Sequence, residues 1–425
     1  MEERTLTERD QAVIWHPYTQ MQHADPPIAI VRGEGVYLIA DDGTKYLDAI
    51  SSWWVNIHGH AHPYIAEKVA EQLKTLEHAI FAGFTHPSAI VFAERLLNIL
   101  PANQAKVFYS DNGSTAVEVA LKMCLQFWSN QKQERIKILA FNNSYHGDTF
   151  GAMAVSARSA FTKPFEQLLF DVEFIDLPNK TNLHHLKSHI SHLKSELAAF
   201  IYEPLIQGAA GMLMYNAADL DELLDHCRNE GLLLIADEVM TGFGRTGKLF
   251  ATDHLQLKPD VMCFSKGITG GTMAMGVTTC TQNVFDAFLS DDKLKTLFHG
   301  HSFTANPVTC AAAIASMDLL EKPETTADIN RISDHHSQFR MKIVGHPKLR
   351  NIRQTGTIIA LEWETGEGTS YFNQLGKNLY KFFLDQGIIL RPLGNIIYII
   401  PPYCISNEQL DYIYGKIEEA LNKFE

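Results

Sequence analysis

Short apolar runs alternate with longer amphipathic segments along most of the chain, and this alternation predicts strands and helices in turn. Apolar runs expected to form strands cover residues 106–110, 136–141, 198–202, 232–236 and 261–265. Amphipathic segments expected to form helices cover residues 114–128 and 219–229. Continuous apolar strands separated by helices are typical of a parallel sheet covered on both faces. The pattern therefore predicts an α/β fold that binds ligands at the carboxyl ends of its strands.

The pattern changes after residue 325, where strands are expected over 357–363, 388–392 and 395–400, beside helices over 371–386 and 407–423. This mixture predicts a smaller α+β domain at residues 326–425, after a large domain at residues 56–325. We expect the N-terminal segment, residues 1–55, to pack with the small domain and the active site. The large domain would then carry the mostly parallel sheet.

Composition and charge narrow the function classes. The chain has 425 residues, 46% of them hydrophobic, and a formal net charge of −13. With no long basic run, binding to nucleic acid or to an anionic membrane surface is not expected. The sequence has no apolar stretch long enough for a transmembrane helix, its N-terminus is polar, and its six cysteines form no C-x-x-C pair. These features favour a reduced, cytoplasmic protein.

One glycine-rich stretch matches two nucleotide-binding motifs incompletely. Residues 242–247 read GFGRTG, which fits G-x-G-x-x-G, but several residues separate the preceding strand from the first glycine. No long helical period follows Gly247, which disfavours a dinucleotide site. The same stretch nearly fits a phosphate-binding P-loop, but Leu249 cannot supply the hydroxyl that ligates magnesium. The remaining interpretation is a glycine-rich turn that presents Arg245.

Two charged residues follow predicted strands directly. Asp237 comes after the apolar run LLLIA, and Lys266 comes after VMCFS. A carboxylate buried at a strand end needs a partner, and a desolvated lysine can form an imine with a carbonyl group. Each residue also has an ordinary interpretation, an acid bound by a neighbouring loop and a lysine reaching the surface.

Two further features lie at predicted strand ends. The turn DNGS, residues 111–114, precedes a helix, and free backbone N–H groups in such a turn bind phosphate. Tyr145 follows the strand at 136–141 and could stack on a flat ring. A simple helix cap and an ordinary buried tyrosine are the alternatives. Together the four features match the needs of pyridoxal phosphate, namely a phosphate site, an amine, an acid and an aromatic face.

The chain resembles the class III pyridoxal-phosphate aminotransferases of fold type I. The stretches that carry the resemblance are SDNGSTAVEVALKM (110–123), SYHGDT (144–149), IADEVMTGFGRTGKLFA (235–251), KPDVMCFSKGITGG (258–271) and GHSFTANPVTCAAA (300–313). The stretches WHPYTQM (15–21), SSWWVNIHGH (51–60) and ILRPLGNIIYIIPPY (389–403) resemble the branch that aminates 8-amino-7-oxononanoate in biotin synthesis. An aminotransferase for another ω-amino acid or a diamine is the alternative.

The resemblance implies roles around pyridoxal 5'-phosphate. Lys266 is expected to form the covalent link to the cofactor and to move the catalytic proton, and Asp237 to pair with the pyridine nitrogen. Val239 and Tyr145 are expected to pack on the two ring faces. Met240 stands where many relatives carry a glutamine that touches the ring hydroxyl, so that contact must come from elsewhere.

The resemblance implies that phosphate binding is shared between two subunits of a homodimer. Gly113 and Ser114 are expected to hold the phosphate from one side. The loop Gly300–Ser302 is expected to reach the cofactor of the neighbouring subunit, which places the active sites at the subunit interface. Many relatives have threonine at Ser302 and proline at His301. Ser302 retains the hydroxyl group of that threonine. His301 is also expected among the cofactor-binding residues, and its role there is open.

The substrate site is also implied by the resemblance. Its expected residues are Tyr18, Trp53, Trp54, Tyr145, Arg245, Lys266, Gly300 and Arg391. The aromatic residues suit an aliphatic chain, and a guanidinium suits the distal carboxylate of an oxo-acid. The expected amino donor is S-adenosylmethionine, with lysine left open.

Alternating histidines raise a separate question about metals. His58, His60 and His62 alternate along the chain, as do His299 and His301. Glycines interrupt both runs and no cluster of cysteine or aspartate accompanies them, so no metal site is expected.

Overall fold

The computed structural model describes residues 4–366 and 368–424. The ends of the predicted N-terminal segment and small domain, residues 1–3 and 425, lie outside the described residues, as does residue 367 of the small domain. Within the described ranges the strands are β1 Ile30–Glu34, β2 Tyr37–Ala40, β3 Lys45–Asp48, β4 Gln104–Ser110, β5 Lys137–Phe141, β6 Val172–Ile175, β7 Leu197–Tyr202, β8 Ile206–Gln207, β9 Leu213–Met214, β10 Leu233–Asp237, β11 Val261–Phe264, β12 Gly276–Thr281, β13 Leu349–Thr355, β14 Ile358–Trp363, β15 Ile388–Ile389 and β16 Ile396–Ile399.

The helices lie mainly between these strands. In the same ranges they are α1 Leu6–Val13, α2 Ser51–Trp54, α3 Pro63–Thr75, α4 Pro87–Ile99, α5 Gly113–Asn130, α6 Phe150–Val155, α7 Leu183–Leu193, α8 Ala217–Asn229, α9 Gln282–Asp286, α10 Pro307–Leu320, α11 Pro323–Ile343, α12 Leu375–Asp385 and α13 Asn407–Lys423. Short 3₁₀ turns cover Lys163–Leu168, Ala251–His254, Lys266–Thr269 and Lys293–Lys295. The α2 segment is a kinked turn, since Ser52 and Trp53 have non-helical backbone angles.

A seven-stranded sheet forms the centre of the molecule, in the order β4-β12-β11-β10-β7-β5-β6. Strands β11, β10, β7, β5 and β6 are parallel. Strand β12 is antiparallel to both β11 and β4. The predicted α/β fold with a mostly parallel sheet is confirmed, whereas β6 and β12 were not predicted.

The apolar runs form strands because the sheet is covered on both faces. Every residue of β7 and of β10 is buried, as the continuous apolar runs predicted. Helix α5 packs on one face through a row of buried apolar side chains, and Asn112 caps its first turn by accepting the N–H of Thr115 at 3.0 Å. The cap fixes the start of α5 directly after β4, at the edge of the sheet where the functional residues lie.

Three smaller sheets surround the central one, in the orders β1-β2-β3-β15, β13-β14-β16 and β8-β9. Strand β15 pairs in parallel with β3, with Ile389 opposite Asp48. The N-terminal segment and the C-terminal part of the chain therefore share one sheet. The boundaries of the two domains remain predictions.

Two predicted elements near the C-terminus are shorter in the structure. The strand expected over 388–392 contains only Ile388–Ile389. Pro392 has no N–H to donate to a neighbouring strand, and the chain leaves the sheet before it. The helix expected over 371–386 begins only at Leu375, whose N–H is accepted by the side chain of Asn373 at 3.0 Å. No helix within the described ranges is long and apolar enough to cross a membrane.

Candidate active site

Two adjoining cavities open at the carboxyl ends of β10 and β11. The inner one has a volume of about 380 Å³ and the outer one about 470 Å³. Both are lined by Trp54, Tyr145, Gly147, Asp148 and Lys266. Lys266 therefore lies where a ligand in one cavity would meet a ligand in the other.

Lys266 begins the 3₁₀ turn that follows β11, with a backbone φ of 45°. Its Nζ lies 5.1 Å from the centroid of the Trp54 ring. Burial lowers the pKa of Lys266, because a charged ammonium is poorly solvated there. A larger share of this amine is therefore unprotonated, which is the form that attacks a carbonyl group or accepts a proton.

Asp237 ends β10 and is held by two hydrogen bonds. Its Oδ2 lies 2.7 Å from Nδ1 of His146, and its Oδ1 accepts the N–H of Val239 at 3.0 Å. Both carboxylate and imidazole are buried. Among the described residues, Nε2 of His146 has no hydrogen-bond partner. Sequence reasoning assigned no role to His146, although it lies in the SYHGDT stretch.

Glu203 is a second buried carboxylate in the inner cavity, and sequence reasoning did not select it. It accepts the N–H groups of Tyr145 and Gly208, both at 3.0 Å. Burial, together with the charge of Asp237, raises the pKa of Glu203 to about 7. Its sequence signal resembles that of Asp237, an acid directly after an apolar strand.

The start of α5 forms a cradle at the rim of the inner cavity. Gly113 and Ser114 are the first two residues of the helix, and both line the cavity. The hydroxyl of Ser114 accepts the N–H of Asp148 at 3.2 Å. A Cβ on Gly113 would lie 2.8 Å from Cγ1 of Val239, and one on Gly147 would overlap Oγ of Ser114. Glycine at both positions keeps this space open.

Aromatic side chains line the outer cavity. The Tyr18 ring lies 5.7 Å from that of Trp53, and the indole N–H of Trp54 donates to the hydroxyl of Tyr398 at 3.1 Å. The hydroxyl of Tyr18 donates to the carboxylate of Asp148 and lies 3.4 Å from the hydroxyl of Tyr145. Burial, with the Asp148 bond, raises the pKa of Tyr18 to about 12, so this hydroxyl stays protonated.

Arg391 lies in the outer cavity, with its guanidinium 4.5 Å from the centroid of the Trp53 ring. A guanidinium over an aromatic face is attracted to that face while its N–H groups, which lie in the guanidinium plane, can still donate to another group. The side chain can therefore offer a planar pair of donors to a carboxylate within an aromatic wall.

Arg245, by contrast, is not part of either cavity lining, and its expected role toward the substrate remains a prediction. Only 1% of its surface is exposed. Its guanidinium donates to the carbonyl oxygens of Pro401 at 2.8 Å and of Trp54 at 3.3 Å, and lies over the Tyr403 ring. The glycine-rich turn thus buries Arg245 beneath the site instead of presenting it.

The loop Gly300–Ser302 is also absent from the cavity linings within this single chain, and Gly300 and Ser302 are exposed. Nδ1 of His301 lies 3.3 Å from the carboxylate of Asp111, and its Nε2 lies 2.9 Å from Nε2 of His299. The chain therefore does not bring these loop residues to its own cavity, and their expected roles toward a neighbouring subunit remain predictions.

His58 and His60, two of the alternating histidines, are bound by protein groups. Nε2 of His58 lies 3.0 Å from the carbonyl of Ser316, and His60 pairs with Asp48 at 2.9 Å. Over residues 4–366 and 368–424, no group of three or more histidine, cysteine, aspartate or glutamate side chains is arranged to hold a metal ion.

The inner cavity fits the expected pyridoxal phosphate. The N-terminus of α5 and the Ser114 hydroxyl can accept a phosphate group. Asp237, restrained by His146, can face a pyridinium nitrogen, and Lys266 supplies the amine. The unpartnered Nε2 of His146 and the space kept by Gly113 agree with a site built for a polar ligand.

Comparisons with known proteins agree with this assignment. The family model described as aminotransferase class-III matches residues 18–421. The chain is 46% identical over 420 residues to the adenosylmethionine-8-amino-7-oxononanoate aminotransferase of Synechococcus elongatus, covering 96% of this chain and 98% of the relative.

Solved structures of aminotransferases are similar to this chain over nearly its whole length. The crystal structure of the adenosylmethionine-8-amino-7-oxononanoate aminotransferase from Methanocaldococcus jannaschii matches with a TM-score of 0.94, 34% identity and 98% of both chains covered. An amine transaminase from an uncultivated Pseudomonas species, in its PLP-bound form, matches with a TM-score of 0.90 and 28% identity, covering 96% of this chain and 98% of that chain. The chain therefore belongs to the class III aminotransferases, which depend on pyridoxal 5'-phosphate.

Proposed function

We propose that this aminotransferase transfers an amino group to the 7-oxo carbon of 8-amino-7-oxononanoate, giving 7,8-diaminononanoate for biotin synthesis. The relatives described above carry this activity in their names. The observation that carries the proposal is the guanidinium of Arg391, 4.5 Å from the centroid of the Trp53 ring, in a cavity that is also lined by Lys266.

The outer cavity suits both ends of the oxo-acid. Its distal carboxylate would pair with the guanidinium of Arg391, which lies on the Trp53 face. The aliphatic chain would lie along Trp53, Trp54 and Tyr18, where burying it from water is favourable. Its oxo group would then lie toward Lys266, which lines both cavities.

Pyridoxal phosphate would occupy the inner cavity and, when bound, supplies an electron-accepting ring that stabilises negative charge on a neighbouring carbon. Gly113 and Ser114 would hold its phosphate. Asp237 would keep the ring nitrogen protonated, while Val239 and Tyr145 would pack against the ring. His146 would keep the Asp237 carboxylate oriented through the 2.7 Å contact.

Lys266 would be the catalytic base and acid in both halves of the exchange. Its pKa is lowered by burial, so the free amine can take a proton from the carbon that carries the donor amine. In the second half it would give a proton back to the carbon of the acceptor. The Trp54 ring, 5.1 Å from Nζ of Lys266, would help to keep water away from the amine that carries the proton.

The active form would be a homodimer with its sites at the subunit interface. Four of the apolar side chains with more than half of their surface exposed lie on two segments near the Gly300–Ser302 loop: Ile80, Phe84, Phe298 and Phe303. The side chain of Asn306 joins these segments by donating to the carbonyl of Glu77 at 2.9 Å. This exposed apolar surface lies beside the Gly300–Ser302 loop and supports a subunit contact there. The loop, including His301, would complete the partner's phosphate site.

The division of the chain into domains is part of the same proposal. Residues 56–325 would form the cofactor domain and 326–425 the smaller domain, with residues 1–55 packed between the latter and the site. The pairing of β3 with β15 supports this arrangement of the N-terminal segment.

A donor screen with purified protein tests the function. The protein is incubated with 8-amino-7-oxononanoate and either S-adenosylmethionine or lysine, and 7,8-diaminononanoate is measured by mass spectrometry. We expect diamine with S-adenosylmethionine. No diamine with either donor, combined with turnover of a simple diamine or ω-amino acid, would instead support the alternative substrate class.

A further inference from the structure

The turn that carries Trp53 and Trp54 has a strained backbone. We call residues 50–54 the tryptophan loop. Within it Ser51, Ser52 and Trp54 have φ values of 52°, 58° and 68°. Residues with a side chain rarely adopt these angles, and they keep them only where surrounding contacts fix the backbone. The loop therefore depends on the groups that bind it.

Asp48 is the main group that binds the backbone of the tryptophan loop. Its Oδ1 accepts the N–H of Ile50 at 3.0 Å, and its Oδ2 accepts the N–H of Ser52 at 2.6 Å. Asp48 is completely buried, at the end of β3. Both bonds are to the carboxyl group of one buried side chain, which restrains the two backbone N–H groups together.

His60 holds the carboxylate of Asp48 from the other side. Its Nε2 lies 2.9 Å from Oδ2 of Asp48. Its own backbone N–H donates to the carbonyl of Gly35 at 2.7 Å. A Cβ on Gly33 would lie only 2.6 Å from Cβ of His60, so a glycine there makes room for the histidine. Contacts other than the one to Asp48 therefore also hold His60 in place.

The tryptophan loop connects this pair to both parts of the proposed site. The Trp54 ring lies 5.1 Å from Nζ of Lys266. The Trp53 ring lies 4.5 Å from the guanidinium of Arg391. Neither Asp48 nor His60 is among the residues that line the inner or the outer cavity. A shift of the loop would therefore change the distance between the Lys266 amine and the Arg391 guanidinium, although neither residue is itself substituted.

We propose that Asp48 and His60 are positioning residues that set the tryptophan loop for binding of the long-chain oxo-acid. The proposal rests on the proposed function for the identity of the substrate. The restraint on the loop is a property of the chain itself and can be measured separately.

The test is the Asp48→Asn variant of the full-length holoprotein. An asparagine can keep the bond to Ile50 but presents an amide in place of the oxygen that accepts the N–H of Ser52. We expect hydrogen–deuterium exchange of residues 50–54 to increase about tenfold, since a charged hydrogen bond is lost. We also expect KM for 8-amino-7-oxononanoate to rise about tenfold, with kcat changed less than about threefold.

Asp260→Asn is the matched control. The carboxylate of Asp260 also accepts a backbone N–H, that of Leu234 at 2.9 Å, but it lies at the opposite ends of the strands, before β11. The Asp260→Asn protein should be less stable than wild type, but hydrogen–deuterium exchange in its tryptophan loop should not be faster. His60→Gln is the second variant and should show the Asp48→Asn effects in weaker form, because Asp48 keeps both backbone bonds.

The outcomes separate the two proposals. Faster exchange confined to the loop, with the rise in KM, supports the positioning role. Unchanged exchange in both Asp48→Asn and His60→Gln, or faster exchange without a rise in KM, overturns it. If Asp48→Asn does not fold, His60→Gln decides by the same criteria. A wild-type protein that does not aminate the oxo-acid overturns the proposed function, and the exchange result then decides on the restraint alone.

Discussion

Nδ1 of His146 lies 2.7 Å from Oδ2 of Asp237, and both side chains are buried. The second carboxylate oxygen accepts the N–H of Val239 at 3.0 Å. The two contacts fix the plane of a carboxylate that the sequence places at a strand end. A fixed charge stabilises a bound cation better than a mobile one, because it does not need to reorganise.

Asp237→Asn should reduce kcat by a factor of about 10² to 10³, the range for loss of one preorganised charge contact. The change keeps the shape of the side chain but removes the charge that would hold the cofactor nitrogen protonated. His146→Gln should have a smaller effect, because the carboxylate remains. Steady-state kinetics, with cofactor content measured by absorbance, checks both. Full activity of a cofactor-loaded Asp237→Asn protein would contradict the role given to Asp237.

Arg391→Leu should raise KM for 8-amino-7-oxononanoate about tenfold or more, because the distal carboxylate loses a charged hydrogen bond. Arg391→Lys should recover only part of the affinity, since an ammonium cannot form the planar pair of bonds or stack on Trp53 in the same way. Kinetics of both variants with the same acceptor test this. Equal KM values for all three proteins would show that Arg391 does not bind the carboxylate.

Glu203 should make the stability of the protein depend on pH. Its pKa is raised from 4.5 to about 7 by burial, so between these values the folded state binds more protons than the unfolded state. The free energy of unfolding should therefore fall as pH rises through this window, with a contribution of about 3 kcal/mol. Glu203→Gln should remove this fall.

Urea unfolding of wild type and Glu203→Gln at about pH 5 and about pH 8 measures the difference. Other buried acids affect both proteins alike, so the comparison isolates Glu203. Parallel pH dependences in the two proteins would rule out a raised pKa for this carboxyl.

Gly147→Ala should weaken cofactor binding. Gly147 has a φ of 136°, and an added Cβ would overlap Oγ of Ser114. We expect the dissociation constant for pyridoxal phosphate to rise about tenfold or more, since the phosphate site is displaced. Gly43→Ala is the matched control, because Gly43 has a φ of 87° but nothing within 4 Å of an added Cβ. Equal cofactor affinity in the two variants would contradict the placement of the phosphate.

The central sheet and the residues at its strand ends could be predicted because the signals are local. The apolar run at 261–265 is β11 apart from its last residue, and Lys266 follows it. The last helix was predicted with the bounds that α13 has, Asn407–Lys423, and in the structure a capping box of Ser406 and Gln409 fixes its start. Strand β12 was missed because its sequence GVTTCT is rich in threonine and has no continuous apolar run.

The errors and omissions come from contacts between residues far apart in sequence. Arg245 is buried because the carbonyl oxygens of Pro401 and Trp54 accept its N–H groups, and no local pattern specifies those partners. The pairing of Asp48 with His60 likewise depends on the turn between them. The glycine-rich turn itself was identified from the sequence, whereas the burial of its arginine was not.

The most direct test of the account is a single turnover on the amine form of the cofactor. Purified protein is loaded with pyridoxamine phosphate and mixed with 8-amino-7-oxononanoate and no other amine. Absorbance follows conversion of the cofactor to its aldehyde form, and mass spectrometry measures the diamine. We predict one diamine formed for each cofactor converted, with Lys266→Ala inactive. No conversion with this acceptor, while another carbonyl compound converts the same cofactor, would contradict the account.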